Sequence, residues 1–223
     1  MPDAVMLFAA GFGTRMGPLT AERPKPLIEV NGKALLDHAL DLTGGLSRRV
    51  VNAHYHADQI VAHLADQAVE VSLETPDILD TGGGLRQALP LLGEGPVFTL
   101  NTDAVWRGPN PLDVLKGAWS PDDMDALLLC VPLARATGRN GQGDFTLDQQ
   151  GRLTWGGDMV YTGAQIVRTE ALADVPDLAF SLHKLWNAAL EKDRFRGVVY
   201  PGKWADVGHP EGITLAEEML NAV

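Results

Sequence analysis

The 223-residue sequence contains a single cysteine, Cys130, which excludes an internal disulfide and a cysteine-built zinc site. No apolar run approaches the roughly 20 residues that a membrane-spanning helix needs, and residues 1–10 lack the basic start of a secretory signal. Repeats, low-complexity tracts and polar linkers are also missing. We therefore expect a cytoplasmic protein with no membrane partner, in which Cys130 is a small core residue.

Positive charge is scarce as well. The chain has 18 Lys and Arg against 29 Asp and Glu, which gives a formal net charge of -11. This balance argues against a nucleic-acid partner, because such proteins carry clustered basic residues. A small anion can still bind, since a few cations and backbone N–H groups suffice to hold it inside an acidic protein.

Short apolar runs and helical patterns alternate along the first hundred residues. They predict strands at 4–10, 48–55, 69–74 and 96–103 and helices at 32–45, 57–67 and 84–92. This alternation predicts an α/β fold, in which a parallel sheet is covered by helices on both faces. Ligands of such sheets bind at the carboxyl ends of the strands.

The second half of the chain follows a different pattern. It predicts strands at 124–133 and 158–169, a hairpin at 143–155 with its turn at 149–151, short strands within 195–208, and helices at 181–193 and 210–222. Ser181 is the predicted N-cap of the helix at 181–193. We predict one domain over residues 1–223, with antiparallel strands inserted in its second half.

The stretch FAAGFGTRMGPLTAERPKP, residues 8–26, is glycine-rich and locally basic, and it follows the first predicted strand. It is no dinucleotide fingerprint, because Met16 stands where the third glycine is needed. Glycines let backbone N–H groups approach phosphate oxygens, and the pattern supplies two nearby cations. We expect a nucleoside triphosphate to bind Gly11, Gly13, Thr14, Arg15 and Lys25.

Two aspartates are candidate ligands for the divalent cation that phosphate chemistry usually needs. Asp103 ends the apolar run PVFTLNTD, and Asp206 follows GKW in the second half of the chain. Aspartate also caps turns and helices after strands. For Asp103 we favour the metal ligand, and for Asp206 the local sequence fits either role.

A second glycine-rich stretch, LDTGGGLRQAL at residues 79–89, lies just before a predicted helix. Its glycines could relieve crowding where two loops cross. Alternatively, free N–H groups at the start of the helix could bind a phosphate or a base edge. We favour the second interpretation.

Taken together, these motifs resemble the signature of the sugar-1-phosphate nucleotidylyltransferases. The similarity covers essentially the whole chain and rests on FAAGFGTRMGPLT, KPL, LDTGGGLRQALPLLG, NTDAVW, GQGDFTL, YTGAQIV and KWADVGHPE, in the expected order. Among the family members, the short N-acetylmuramate 1-phosphate uridylyltransferases of peptidoglycan recycling are the most similar in length and in the TGGG and GxGDF stretches. The resemblance implies a Rossmann-like mixed, mostly parallel sheet of the nucleotide-diphospho-sugar transferase type.

The resemblance also implies roles for individual residues. Residues 1–105 would form the nucleotide-binding half and residues 106–223 the sugar-phosphate-binding half. The implied assignments are the triphosphate at Gly11, Gly13, Thr14, Arg15 and Lys25; the base at Thr81 and Gly82; Mg²⁺ at Asp103 and Asp206; and the sugar phosphate at Asp144, Gly163 and Lys184. Lys184 could instead be a solvated lysine, and His209 is expected to begin a helix.

The implied reaction is in-line attack by the sugar phosphate on the α-phosphorus of the nucleotide, with Arg15, Lys25 and Asp103 as catalytic residues. No general base is needed, because a phosphate monoester with a second pKa near 6 is largely dianionic at neutral pH. Pyrophosphate would leave. The acceptor is predicted to be N-acetylmuramate 1-phosphate and the donor UTP, in a monomer or small homo-oligomer.

Several alternatives stay open at this point. The base is undecided, because the glutamine that uridylyl and thymidylyl members often carry before the GT pair is missing from ETPDILDTGGG. A mannose- or glucose-1-phosphate nucleotidylyltransferase using GTP or UTP fits the same motifs, as does an enzyme with phosphocholine or another non-sugar acceptor. An inactive sugar-nucleotide sensor is the alternative of another class.

Overall fold

The computed structural model describes residues 1–222. The strands are β1 (Ala4–Phe8), β2 (Glu29–Val30), β3 (Lys33–Ala34), β4 (Arg48–Ala53), β5 (Glu70–Leu73), β6 (Val97–Asn101), β7 (Ala104–Arg107), β8 (Ala126–Pro132), β9 (Ala136–Thr137), β10 (Phe145–Leu147), β11 (Leu153–Trp155), β12 (Met159–Val167), β13 (Phe195–Val199) and β14 (Lys203–Asp206). The α-helices are α1 (Leu35–Asp41), α2 (Ala57–Leu64), α3 (Asp80–Leu92), α4 (Pro111–Ala118), α5 (His183–Glu191) and α6 (Pro210–Asn221). Short 3₁₀ segments follow Gly13 and Pro24.

A nine-stranded sheet runs through both halves of the chain. Strands β6, β1, β4 and β5 are neighbours in that order, and all of them run parallel. The parallel strands read as continuous apolar runs because both faces of this part of the sheet are covered. The predicted mixed α/β fold with a parallel centre is confirmed.

The second half of the chain extends the sheet with antiparallel strands. β12 pairs antiparallel with both β6 and β8, and β10 pairs with β11 and β12 in the predicted hairpin. The hairpin turn lies where the sequence placed it, with Gly151 at φ 76°. β13 then returns parallel to β8.

Helices cover the sheet on both faces. On one face, α1, α2 and α4 contribute buried residues such as Leu36, Ile60 and Leu115 to a core cluster. On the other face, α3 and α5 contribute Leu85 and Trp186 to a second cluster. Burying a side chain of this kind stabilises the fold by about 1.5–3 kcal/mol. No helix within residues 1–222 is both long enough and apolar enough to cross a membrane.

A small separate sheet joins distant parts of the chain. β14 pairs antiparallel with β7 and parallel with β9. In this register Asp206 lies opposite Ala104, next to Asp103, and the Val207 N–H donates to the Asp103 carbonyl oxygen at 2.8 Å. The two predicted metal ligands are therefore brought together although about a hundred residues separate them.

The prediction that the TGGG stretch precedes its helix is wrong, because α3 begins at Asp80 and contains all three glycines. A Cβ at Gly82 would overlap the Phe180 ring, and one at Gly83 would lie 2.5 Å from the Leu178 carbonyl oxygen. Glycine lowers helix propensity by about 1 kcal/mol, but close packing of residues 178–180 on α3 permits no larger side chain there. Tertiary contacts therefore outweigh propensity.

Two other helix starts differ from the prediction. Helix α5 begins at His183, and its N-cap is Leu182, one residue after the predicted Ser181. The Ser181 hydroxyl nevertheless accepts a hydrogen bond from the His183 N–H at 3.3 Å, which is the contact that a capping side chain makes. The Leu182 N–H is occupied by the Thr81 hydroxyl, which accepts a hydrogen bond from it at 3.0 Å. Helix α4 was not predicted, although Asn110 caps it by accepting from the Leu112 N–H.

Replacing Gly82 by alanine is expected to lower the free energy of unfolding by about 1–3 kcal/mol, the usual cost of overpacking a filled site. The added methyl group would press on Phe180. Gly117→Ala is the matched control, because Gly117 also lies in a helix but a Cβ there meets nothing within 4 Å. Thermal unfolding of both variants checks this, and equal melting temperatures would contradict it.

Candidate active site

A cleft of about 320 Å³ opens at the carboxyl ends of the parallel strands. Its walls come from the residues that follow β1, β5 and β6, from the end of β4 and from the start of α3. Seven of the predicted residues line it: Gly11, Gly13, Thr14, Arg15, Lys25, Thr81 and Asp103. This is the edge at which ligands of open α/β sheets bind.

The glycine-rich loop forms one wall of the cleft. Gly13 has φ +64°, and a Cβ there would lie 2.9 Å from both the Lys25 Cβ and the Thr20 Cγ2. Only glycine fits this position, because an L-residue would meet both backbone strain and overlap. Within residues 1–222 no acceptor is found for the N–H groups of Gly11, Phe12 and Gly13, so these donors are available to a ligand.

Lys25 and Asp103 form an ion pair inside the cleft. The Lys25 Nζ lies 2.8 Å from the Asp103 Oδ2, and the two side chains are 10% and 30% exposed. Burial alone would raise the pKa of Asp103, but the charge and hydrogen bond of Lys25, together with the charge of Arg15, hold that pKa below its ordinary value. Asp103 is therefore ionised at neutral pH.

Asp206 is buried directly beside Asp103. Burial raises the pKa of Asp206, and the negative charge of Asp103 raises it further, while Lys25 and Arg15 act in the opposite direction. Asp206 does not itself line the cleft, but Gly208, which does, adjoins its carboxylate. Two neighbouring carboxylates that repel each other suit a divalent cation, which would remove the repulsion. The pair thus fits a divalent cation such as Mg²⁺, which Asp103 and Asp206 would hold.

The Arg15 side chain extends from the glycine-rich loop toward the Asp206 carboxylate. A Cβ at Gly208 would lie 3.0 Å from both the Arg15 Nη1 and the Asp206 Oδ1, so these groups flank one small gap. In the part of the chain that the structure describes, Arg15 donates no side-chain hydrogen bond and forms no ion pair within 4 Å. Its guanidinium is free to bind an anion.

Among the polar cleft residues that sequence reasoning missed, Asn52 and Glu74 are joined by a hydrogen bond. The Asn52 Oδ1 accepts from the Ala9 N–H at 2.7 Å, and its Nδ2 donates to the Glu74 Oε1 at 2.7 Å. The Glu74 Oε2 accepts from the Leu79 N–H at 2.8 Å. Glu74 could have been found by the rule that singled out Asp103, because it ends the strand run predicted at 69–74, whereas Asn52 lies inside the run predicted at 48–55 and has no such signal.

The family model of the MobA-like NTP transferase domain matches residues 5–137. The chain belongs to this family. It is 40% identical to the N-acetylmuramate alpha-1-phosphate uridylyltransferase of Caulobacter vibrioides, over 98% of this chain and 97% of the relative. It is 32% identical to the enzyme of the same name from Neisseria meningitidis serogroup B, over 91% of this chain and 92% of the relative.

A solved structure shares the fold of this NTP transferase domain. HddC from Yersinia pseudotuberculosis, complexed with GMP-PN, superposes with a TM-score of 0.75 at 21% identity, over 98% of this chain and 99% of that one. The sugar-1-phosphate nucleotidylyltransferase family predicted from the motifs is confirmed. The prediction that the chain is an enzyme of this class is confirmed as well.

Thr81 and Gly82, the residues predicted to lie near the base, have different positions in the NTP transferase domain. Thr81 lines the cleft at the start of α3. Gly82 does not line it, and the N–H groups of Gly82 and Gly83 both donate to the Phe180 carbonyl oxygen, at 2.8 and 3.1 Å. The expectation of free N–H groups at these glycines is therefore wrong, while base contacts by Thr81 and Gly82 stay a prediction.

The three residues predicted to bind the sugar phosphate do not line the cleft. Asp144 is held by the Arg139 guanidinium at 2.7 Å and by the Tyr161 N–H at 2.9 Å. Gly163, at φ +86°, is pressed against Asn101, which does line the cleft.

Lys184 was left with two interpretations, and His209 was expected to begin a helix. Lys184 pairs with Asp177 at the surface, and its ammonium lies 5.9 Å from the centre of the Phe180 ring. His209 has an extended backbone and occupies the N-cap position of α6, immediately before Pro210, without capping the helix by its side chain. His209 thus begins a helix, as expected.

Proposed function

We propose that the enzyme transfers a uridylyl group from UTP to N-acetylmuramate 1-phosphate and releases pyrophosphate. The meeting of Arg15, Lys25 and Asp103 in one cleft, with Asp206 buried directly beside Asp103, carries the proposal, because it provides the charges that phosphoryl-type transfer needs. Two full-length relatives with this activity in their names support the choice of substrates. The proposal includes the predicted cytoplasmic location and a place in peptidoglycan recycling.

The reaction exchanges one phosphorus–oxygen bond for another. A phosphate oxygen of the sugar 1-phosphate attacks the α-phosphorus of UTP, and the bond from that phosphorus to the bridging oxygen of pyrophosphate breaks. The electron pair of the broken bond stays with pyrophosphate. The nucleophile is already ionised at neutral pH, so the enzyme supplies position and electrostatic stabilisation rather than a base.

The glycine-rich loop and its two cations bind the nucleotide donor, UTP. The free N–H groups of residues 11–13 bind phosphate oxygens, and Arg15 neutralises the charge that gathers on the departing pyrophosphate. Lys25 holds the α-phosphate end, where its ammonium offsets the negative charge of Asp103 and of the reacting groups. Repulsion between the two anionic substrates is thereby reduced.

Mg²⁺ is the proposed cofactor, held by Asp103 and Asp206. When bound, it supplies Lewis-acid polarisation of the phosphate oxygens. The two carboxylates hold their positions through the β7–β14 pairing and the hydrogen bond from the Val207 N–H to the Asp103 carbonyl oxygen. This scaffold fixes both ligands before substrate arrives, which lowers the cost of assembling the site.

For the acceptor we propose the surface between β12 and the start of α5. Gly163 lets the backbone of β12 approach Asn101, so the sugar phosphate can reach the cleft over this strand. Asp144, fixed by Arg139 and the Tyr161 N–H, is oriented to accept hydrogen bonds from sugar hydroxyls. Lys184 would have to leave Asp177 to bind the phosphate.

A second candidate is a guanylyl transfer from GTP to mannose 1-phosphate. The carboxylate of Asp80 lines the cleft, and a carboxylate matches the paired N–H donors of guanine. An inactive sensor is less well supported, because Arg15, Lys25 and both aspartates of an active centre are present together.

The test is to incubate the purified protein and Mg²⁺ with UTP or GTP and each of four sugar 1-phosphates: N-acetylmuramate, N-acetylglucosamine, glucose and mannose. Mass spectrometry identifies the nucleotide sugar, and pyrophosphate release gives the rate. We expect UDP-N-acetylmuramate to form fastest. Faster formation of GDP-mannose would establish the second candidate, and binding without pyrophosphate release from any pair would indicate the sensor.

A further inference from the structure

We propose that Tyr55, directly after β4, is a positioning residue that holds the glycine-rich loop in its phosphate-binding shape before the nucleotide arrives. Tyr55 does not line the cleft, so it would act through other residues. The inference rests on the proposed function in one respect, namely that this loop binds the triphosphate.

The Tyr55 hydroxyl is the first link from β4 to the loop. It donates to the Thr20 carbonyl oxygen at 2.8 Å, and the Tyr55 N–H lies 3.5 Å from the Ala10 carbonyl oxygen. The hydroxyl of Thr20 in turn donates to the Gly13 carbonyl oxygen at 3.1 Å and lies 3.2 Å from that of Gly17. Tyr55 therefore holds Thr20 in place, and Thr20 in turn links the end of the loop to its beginning at Gly13.

The second link runs from Thr20 to the charged centre. Thr20 and Lys25 are the two residues that would meet a Cβ at Gly13, each at 2.9 Å. Gly13 therefore lies in a slot whose walls are Thr20 and the stem of Lys25, and the ammonium of Lys25 reaches Asp103 at 2.8 Å. Displacement of Thr20 would therefore change both the orientation of the free N–H groups of the loop and the direction of the Lys25 side chain.

The loop has two buried points of attachment. Between residues 11 and 23 only Met16 and Thr20 are buried, and the remaining side chains are mostly exposed. Met16 packs into a core cluster, whereas the Thr20 end of the loop depends on hydrogen bonds from the segment after β4. The loop is thus expected to open when they weaken.

Neighbours of Tyr55 reinforce the same contact. The His56 Nε2 lies 3.4 Å from the Ala21 carbonyl oxygen, and the Gln59 Nε2 donates to that of Glu22 at 2.8 Å. The Phe12 ring, in the loop itself, packs against the rings of His54 and Tyr55 at centroid distances of 5.6 and 5.5 Å. Three consecutive carbonyl oxygens, those of residues 20–22, and the Phe12 ring therefore contact one short segment, residues 54–59.

The test compares Tyr55→Phe with the matched control Tyr200→Phe. Both tyrosines donate a hydroxyl hydrogen bond to a backbone carbonyl oxygen, and Tyr200 does so to Pro109 at 2.7 Å, away from the residues that line the cleft. Both variants lose one such bond, so a general loss of stability affects each of them. Only Tyr55→Phe should affect the loop.

Two measurements are made. Hydrogen–deuterium exchange without nucleotide follows the loop amides, among them those of Met16 and Ala21, which donate to Gly13 and Pro18 within the loop. Steady-state kinetics and calorimetry give KM, kcat and Kd for UTP with Mg²⁺. In Tyr55→Phe we expect loop exchange to be faster, and the UTP KM and Kd higher, by about three- to tenfold, the effect of one hydrogen bond, with kcat changed less.

In Tyr200→Phe the loop exchange rates and the UTP constants should equal those of the wild type. Unchanged exchange of the loop in Tyr55→Phe would overturn the proposal, as would equal effects of the two variants on the UTP KM. If the wild-type protein fails to bind triphosphates, the proposed function is refuted, and the exchange experiment alone still decides whether Tyr55 holds the loop.

Discussion

Asp103→Asn is expected to lower kcat by about 10²–10³, the usual cost of removing one electrostatic contact from a transition state. Asparagine keeps the size of the side chain but removes the charge that faces Lys25 and Mg²⁺. The backbone is unaffected, because the bond from the Val207 N–H goes to the carbonyl oxygen of residue 103. The Mg²⁺ concentration needed for half-maximal rate should also rise, and initial rates of pyrophosphate release measure both.

Asp125→Asn is the matched control for this variant. Asp125 is ion-paired with Arg194 at 2.7 Å and is 23% exposed, similar to Asp103, but it lies outside the cleft. We expect its kcat and Mg²⁺ dependence to match the wild type. A near-normal rate in folded Asp103→Asn, judged by circular dichroism and melting temperature, would remove Asp103 from the active centre.

Lys25→Met should also lower kcat by about 10²–10³, with a smaller loss of UTP affinity. Methionine retains most of the apolar stem that packs against Gly13 but removes the ammonium that offsets the charge of Asp103. Because burial raises the pKa of Asp103 and Lys25 is the main group that lowers it, the variant should have a higher pKa there. The acid side of its pH–rate profile should therefore move to higher pH.

The control for Lys25→Met is Lys33→Met, which removes a surface lysine paired with Asp41. Its rate and pH profile should be those of the wild type. Full activity in Lys25→Met would show that the ion pair with Asp103 is structural only. An acid limb that stays in place while kcat falls would mean that the ionisation of Asp103 does not control the rate.

Much of the donor side of the site could be read from the sequence. Gly11, Gly13, Thr14, Arg15 and Lys25 were found because a glycine-rich turn after an apolar strand has one predictable location, the carboxyl edge of a parallel sheet. The structure places all five on the wall of one cleft. Local pattern suffices here because the strand, the turn and the cations follow each other within 26 residues.

Other parts of the site could not be read from sequence. Asp206 was undecided on local grounds, because its role depends on a strand pairing with residues a hundred positions earlier. The sugar-phosphate residues rested on resemblance alone, and the structure leaves their role a proposal. The division into halves at residue 105 likewise stays a prediction, although the large sheet runs through both halves.

Helix α3 shows why local rules fail at close contacts. Three successive glycines indicate a loop, since glycine costs a helix about 1 kcal/mol per residue. The structure places them inside the helix because Phe180, Leu178 and Glu74 press against the three positions. These glycines are required by residues that are distant in sequence, so the sequence around them does not indicate why glycine is needed.

The sequence by itself determined the α/β class, the order of most strands, the glycine-rich loop and the family, because periodicity and short motifs express these within a few residues. Only the tertiary structure decided that Asp206 joins Asp103, that Asn52 enters the cleft wall, and that Tyr55 contacts the loop. Each of these contacts joins segments far apart in the chain. Their energies depend on distances between atoms of those segments, and such distances cannot be read from a local sequence pattern.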